Sequence, residues 1–156
     1  MPTTAFNPDV ARTVALLGGR DTIHTPVTSG MQAHDLISVG LPPAALMYLT
    51  RGSSILSSSP GMLEKAVGIS VRTLQRRKKD ADDTLLSVEQ SNRTWKFAEI
   101  LGRATEIFGT QTDAEAWLLR PAIGLDQRKP IDLLATSVGV EAVETYLTRI
   151  EYGVYT

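Results

Sequence analysis

The stretch GISVRTLQRRKK, residues 68–79, decides how the rest of the chain is read. A glycine comes first, then an apolar residue, then a serine, then a short and strongly basic run. Ser70 is a good N-cap, because its hydroxyl can accept from the free backbone N–H groups that open a helix. Val71 and Leu74 are three apart, so both can face a core. Arg72, Gln75, Arg76 and Lys79 fall on other faces, with Arg77 and Lys78 beside them. A short helix with one apolar stripe and otherwise guanidinium, ammonium and amide groups suits the major groove of DNA. Arg can bond guanine through two N–H groups, Gln can bond adenine, and further cations neutralise phosphates. The candidate DNA-binding residues are therefore Ser70, Arg72, Gln75, Arg76, Arg77, Lys78 and Lys79, the two lysines on phosphates.

The residues just upstream fit the same reading. Ser59 and Pro60 read as the N-cap and first position of a preceding helix, which Gly68 ends as a residue free to take positive φ. Helix, glycine turn, Ser-capped basic helix resembles a helix-turn-helix. Leu63, Val67, Ile69 and Leu74 stand where that motif puts its apolar residues. Glu64 departs from it, standing where a small residue is usual, which bears on the packing of the two helices and on the DNA contact. The plain alternative is a solvated basic helix end.

Composition sets the frame. The 156 residues suffice for one domain or two small ones, and 42 % apolar with 21 % charged residues is ordinary for a globular protein. Net charge is −1, so the basic run is a local concentration, bounded at once by Asp80, Asp82 and Asp83. The absence of cysteine excludes disulfides and thiolate metal sites and fits a reducing cytoplasm. The N-terminal MPTTAFNPDVAR has no basic-then-apolar signal pattern, and no apolar run approaches the roughly 20 residues of a membrane span. The expectation is a soluble cytoplasmic protein, without a membrane role.

Along the chain, residues 1–23 read as a tail with one short helix, capped by Asn7-Pro8 and stopped by Gly18-Gly19, and 24–30 as a linker. Pro42-Pro43 opens a helix that Gly52 closes. Ser87 and Gln90 have capping-box spacing and predict a long helix from Val88 to Phe108, where Phe97, Ile100, Leu101, Ala104, Ile107 and Phe108 recur at helical spacing. Thr112 and Glu115 read as a second capping box, opening a helix ended at Arg120-Pro121. Pro130 begins a short helix over 131–135, and 140–150 forms the last, with Val143, Tyr146, Leu147 and Ile150 as its apolar stripe and Gly153 beyond. Nothing alternates with period two over a useful length, so the predicted fold class is all-α. The expected organisation is an N-terminal helix and linker at 1–30, a helix-turn-helix region at 31–108 and a small helical domain at 109–156.

Catalysis has little support. His24 and His34 lack a nucleophile or carboxylate partner pattern, no Gly-rich phosphate loop opens a helix, and no metal-ligand spacing occurs. No catalytic, metal or cofactor residue is assigned, and no enzyme activity is expected.

The C-terminal third carries a resemblance. Phe108-Gly109, Ala114 with Trp117-Leu118, Pro121, Gly124, the run from Pro130 through Leu134, Gly139, and Ile150 with Gly153 follow one another in a characteristic order. This succession is similar to the toxin-binding domain of the Xre/MbcA/ParS antitoxins, and GISVRTLQRR resembles the wording of the helix-turn-helix that family carries upstream. The loop departs at Asp126-Gln127, where the family commonly has a glycine pair. The resemblance spans roughly residue 31 to the end. It implies an Xre-like DNA-binding module joined to a toxin-binding domain, and two tasks: inhibiting a toxin by covering its active site, and repressing its own operon. The partners it implies are a RES-type toxin that consumes NAD, and operator DNA, with nucleoid association when on its operator. Helix-turn-helix readers usually bind paired half-sites, so a homodimer or a larger complex is also expected.

Trp117 is read first as a core anchor of the small domain and second as a toxin contact, together with Gly124. Trp95, flanked by polar residues, is expected half-exposed, with packing between the domains as its role. Tyr152, Val154, Tyr155 and Thr156 follow the last helical stripe with little core left to fill, and aromatic side chains with a polar tip favour interfaces. They are the further toxin-binding candidates. The competing readings are a stand-alone helix-turn-helix regulator without a toxin partner, and a pure inhibitor with a degenerate helix-turn-helix.

Overall fold

A computed structural model describes residues 6–79 and 84–153. Among these, all regular structure is helical, apart from one isolated bridge between Ala122 and Arg128. The helices are α1 (Pro8–Leu16), α2 (Gly30–Val39), α3 (Pro43–Gly52), α4 (Ser54–Ser58), α5 (Pro60–Val67), α6 (Val71–Lys79), α7 (Val88–Phe108), α8 (Gln111–Leu118) and α9 (Ser137–Glu151). Short 3₁₀ turns occupy Gly19–Asp21, Ile123–Leu125 and Pro130–Leu133.

Helix α7 is the axis of the molecule. Ser87 and Gln90 form the expected capping box at its start, and Gly109, at φ 96°, ends it. Its 21 residues extend about 31 Å at 1.5 Å per residue. Phe97, Ala98, Ile100, Leu101 and Ala104 are buried, and α1, α2, α5, α8 and α9 all pack on it. Trp95 is only 4 % exposed, its indole N–H donating to Glu99 at 3.4 Å. Polar neighbours in sequence point elsewhere around the helix, so they do not predict exposure of the residue between them.

From Pro8 to Ile23 the chain packs onto the rest of the molecule. Val10, Thr13, Leu17 and Ile23 are buried, and α1 lies along α7 where Gly102 offers no side chain. A side chain such as Leu17 gains about 1.5–3 kcal/mol from full burial, more than a frayed end offers. Val27 is buried within the presumed linker, and α2 starts at Gly30 with Ser29 as its cap.

Several boundaries moved for local reasons. Thr110, not Thr112, caps α8 through the Asp113 N–H, which frees Glu115 for another partner. Thr136 caps α9 through the Gly139 N–H, so that helix begins at Ser137, earlier than its apolar stripe alone suggested. Pro130 starts a 3₁₀ turn, Pro130–Leu133, in place of the expected short helix over 131–135. Trp117 is sandwiched between Phe108, at 5.5 Å between centroids, and the parallel ring of Tyr146 at 6.0 Å.

Candidate interaction sites

The basic helix is held from beneath by apolar packing. Leu63, Ala66 and Val67 of α5, Ile69 of the turn and Leu74 of α6 are buried, and α6 also packs on α3. Gly68 takes φ 78°, and the Ser70 hydroxyl accepts from the Thr73 N–H at 3.1 Å. Glu64 is exposed, outside the packed face, so the interior between the two helices is filled by aliphatic groups. Arg72, Gln75 and Arg76 are exposed, and among the described residues their side chains have no hydrogen-bond or ion-pair partner. Arg77 is different. It is partly buried and donates to the Leu85 carbonyl at 3.0 Å, tying α6 to the approach to α7. The side chains of Lys78 and Lys79 lie outside the described residues.

Arg93 of α7 is a residue the sequence did not single out. Its guanidinium donates to the carbonyls of Lys65 (2.9 Å) and Ala66 (3.3 Å), capping α5, and lies directly over Gly68, where a Cβ would overlap it. Gly68 is thus required twice, for its left-handed backbone and for that close approach.

A second unforeseen group joins the two halves. Glu115 of α8 is 5 % exposed, and its carboxylate accepts from the hydroxyls of Ser53 (2.5 Å) and Ser54 (2.8 Å) and from the Ile55 N–H (3.3 Å). One turn earlier on α8, the Gln111 amide donates to the Gly52 carbonyl at 2.6 Å. Together they grip the corner between α3 and α4, placing a carboxylate at the start of α4, where free N–H groups welcome it. No local pattern could reveal this pairing, because its partners are about sixty residues apart. Lys65 of α5 also pairs with Asp132, in the 3₁₀ turn before α9.

In the C-terminal region Tyr152, just after α9, is 74 % exposed. Val154, Tyr155 and Thr156 lie outside the described residues. Trp117 is 6 % exposed, so its ring supports the domain from within. Gly124 is exposed and lies against the Tyr146 ring, which a Cβ there would overlap. Asp126 and Gln127 have φ 55° and 64°. A glycine pair would adopt these values without strain, which is the physical reason for the glycines usual at this point of the resemblance.

A cavity of about 370 Å³ opens between α1, α2, α7 and α9, lined by Asn7, His34, Trp95, Lys96, Glu99 and Arg103 among others. Its charged groups already answer one another. Lys96 lies 2.7 Å from Glu99 and 3.7 Å from Glu144, and Arg103 bonds Thr148 and the Glu144 carbonyl and lies 3.6 Å from Glu151. Burial pushes the Lys96 pKa down, but the hydrogen bond and charge of Glu99, with Glu144, outweigh it and leave it raised above the ordinary 10.5. Among the described residues no three His, Asp or Glu gather as metal ligands, and no helix is long and apolar enough to cross a membrane.

Residues 103–153 match the antitoxin Xre/MbcA/ParS C-terminal toxin-binding domain. The chain is 29 % identical over 134 residues to antitoxin Xre of Yersinia enterocolitica, covering 85 % of this chain and 87 % of that protein. It is 28 % identical over 127 residues to antitoxin Xre of Pseudomonas putida, covering 81 % and 76 %. From the last turns of α7 through α9 the chain is thus similar to the Xre/MbcA/ParS toxin-binding domain, and along most of its length it is similar to Xre-type antitoxins.

Proposed function

We propose that this chain is a cytoplasmic antitoxin with two working surfaces: a C-terminal domain that binds and inhibits a cognate toxin, and a helix-turn-helix, α5–α6, that represses its own operon. The single observation behind this reading is the toxin-binding domain match at 103–153 in a chain that also turns the unpaired Arg72, Gln75 and Arg76 outward on one helix. The toxin is of the NAD-consuming RES type, and the antitoxin acts as a plug rather than as an enzyme. Tyr152, with Val154, Tyr155 and Thr156, enters the toxin's active-site opening, a pocket built for an anionic, ring-bearing ligand.

On DNA, Arg72, Gln75 and Arg76 read base edges and phosphates, Lys78 and Lys79 neutralise phosphates, Ser70 sets the helix start, and Arg77 holds the helix through Leu85. Helix-turn-helix readers usually bind paired half-sites, so the operator-bound form is a homodimer or a larger complex. The test of inhibition is growth of cells expressing the toxin with an antitoxin lacking residues 152–156. This truncation spares Glu151, whose carboxylate faces Arg103. Loss of rescue with normal helicity and operator binding is expected. Full rescue would return the inhibitory surface to the body of the domain.

A further inference from the structure

The cations of the C-terminal domain are unevenly placed. Residues 109–153 hold seven carboxylate side chains against four cationic ones, and three of those four, Arg120, Arg128 and Lys129, fall within ten residues. All three are exposed, and among the described residues none has a side-chain hydrogen bond or ion pair. Nearby cations differ: Lys65, Lys96 and Arg103 are each paired. An acidic domain thus keeps a cationic island that its own carboxylates do not neutralise.

Within the same stretch Ile123 is 75 % exposed, and Leu119, four residues before it, is also exposed. The loop that carries Ile123 is firmly fastened. The Ala122 N–H donates to the Arg128 carbonyl at 3.0 Å, and the Gln127 N–H donates to the Ala122 carbonyl at 2.9 Å. Ala122 before Ile123 and Leu125, Pro130 and Ile131 after it are buried, and Gly124 rests on Tyr146. Asp126 and Gln127 hold left-handed conformations that cost L-residues about 1–2 kcal/mol each. Strain of this kind persists only where surrounding structure over-determines it. Ile123 is therefore held outward by the fold and is not exposed through slackness.

An exposed apolar residue on a loop whose paired arms, joined at Ala122 and Arg128, also carry exposed cations matches the anatomy of a protein interface, a desolvated centre within a polar rim. A nucleic-acid backbone would need the cations but would leave the isoleucine without a partner. We propose that the loop at 119–129 is a docking surface for the toxin, Ile123 entering an apolar hollow whose rim is acidic and faces Arg120, Arg128 and Lys129. This rests on the reading of the C-terminal domain as toxin-binding and adds the chemistry of the surface it meets. The rim charges raise the association rate and make it salt-dependent.

The test is capture of the co-expressed cognate toxin by the full chain, with wild type beside Ile123→Asp and Arg128→Glu/Lys129→Glu. The side chains changed are exposed, so each variant keeps its helicity and melting temperature. The expected result is capture by wild type and at least tenfold weaker binding by both variants. The wild-type association rate falls with added salt, and amides at 119–129 gain protection from hydrogen exchange on toxin addition. Variants that bind like wild type, with no new protection in the loop, would overturn the proposal while leaving the antitoxin reading intact. Failure of wild type itself to bind would overturn both. Variants that lose operator DNA but keep the toxin would make the loop a nucleic-acid surface and likewise overturn it.

Discussion

The two unpaired cationic surfaces, the outer face of α6 and the loop at 119–129, are built in different ways. On α6 the cations repeat along a regular helix whose apolar residues, Val71 and Leu74, lie toward the core. The exposed face offers charge and amide groups, which suits a regular array of phosphates and base edges. In the loop the cations flank an outward isoleucine held by a strained turn, which suits one shaped and desolvated site. Equal charge does not make equal function. What separates the surfaces is whether an apolar group is exposed among the charges, and how rigidly it is held.

The deepest break in this comparison is Trp117→Ala. Removing the ring between Phe108 and Tyr146 should cost about 3–5 kcal/mol in a denaturant melt. The loss should unfasten the loop while hydrogen exchange of α6 changes far less. Equal loss of protection in both regions would mean that the halves are not separable.

Arg72→Ala or Arg76→Ala should cost about 1–3 kcal/mol of operator affinity where the residue meets a base, and should lower the salt slope by about 1 where it meets a phosphate. Stability and toxin capture should be unaffected. Arg77→Ala, by contrast, should also lower the melting temperature, because its guanidinium holds the Leu85 carbonyl.

Glu115→Ala should destabilise by about 1–3 kcal/mol, leaving the Ser53 and Ser54 hydroxyls and the Ile55 N–H without their acceptor. This change sharpens the comparison by loosening the joint between the regions without touching either surface. Glu115→Gln, which keeps an oxygen acceptor, should cost less.

Gln127→Gly should raise stability by up to about 1 kcal/mol, by relieving a left-handed side-chain residue. The smallest expected effect is the pH dependence carried by Lys96, which is absent near neutrality where its stabilising contribution is full. Its folded pKa is raised, so its contribution is full below the unfolded value of 10.5 and is lost as pH rises through the folded one. A melting-temperature profile flat through neutral pH and falling only above that range is expected for its pairs.

How legible each surface was follows from the same contrast. The α6 surface could be read because its signals are local: a cap at Ser70, an apolar pair three apart, a glycine before them. The long α7 was legible in the same way, from its capping box and stripe. The loop was not, since its geometry depends on Tyr146, some twenty residues further on, and on φ values that Asp126 and Gln127 do not advertise. Glu115 was hidden by a decoy. Its spacing from Thr112 suggested a capping box, whereas Thr110 caps α8 and Glu115 reaches into the α3–α4 corner. Helix α4 escaped notice because five residues carry too little periodicity, and its start is stabilised from a distant helix.

The measurement that tests two separate surfaces most directly is a gel shift of operator DNA with the preformed toxin–antitoxin complex at physiological salt. Wild type should hold both ligands at once, giving a band slower than antitoxin and DNA alone. Arg72→Ala/Arg76→Ala should abolish the shift while the toxin still co-elutes with the antitoxin. Displacement of DNA by the toxin, or an undiminished shift with the double variant, would contradict the division of labour between α6 and the C-terminal domain.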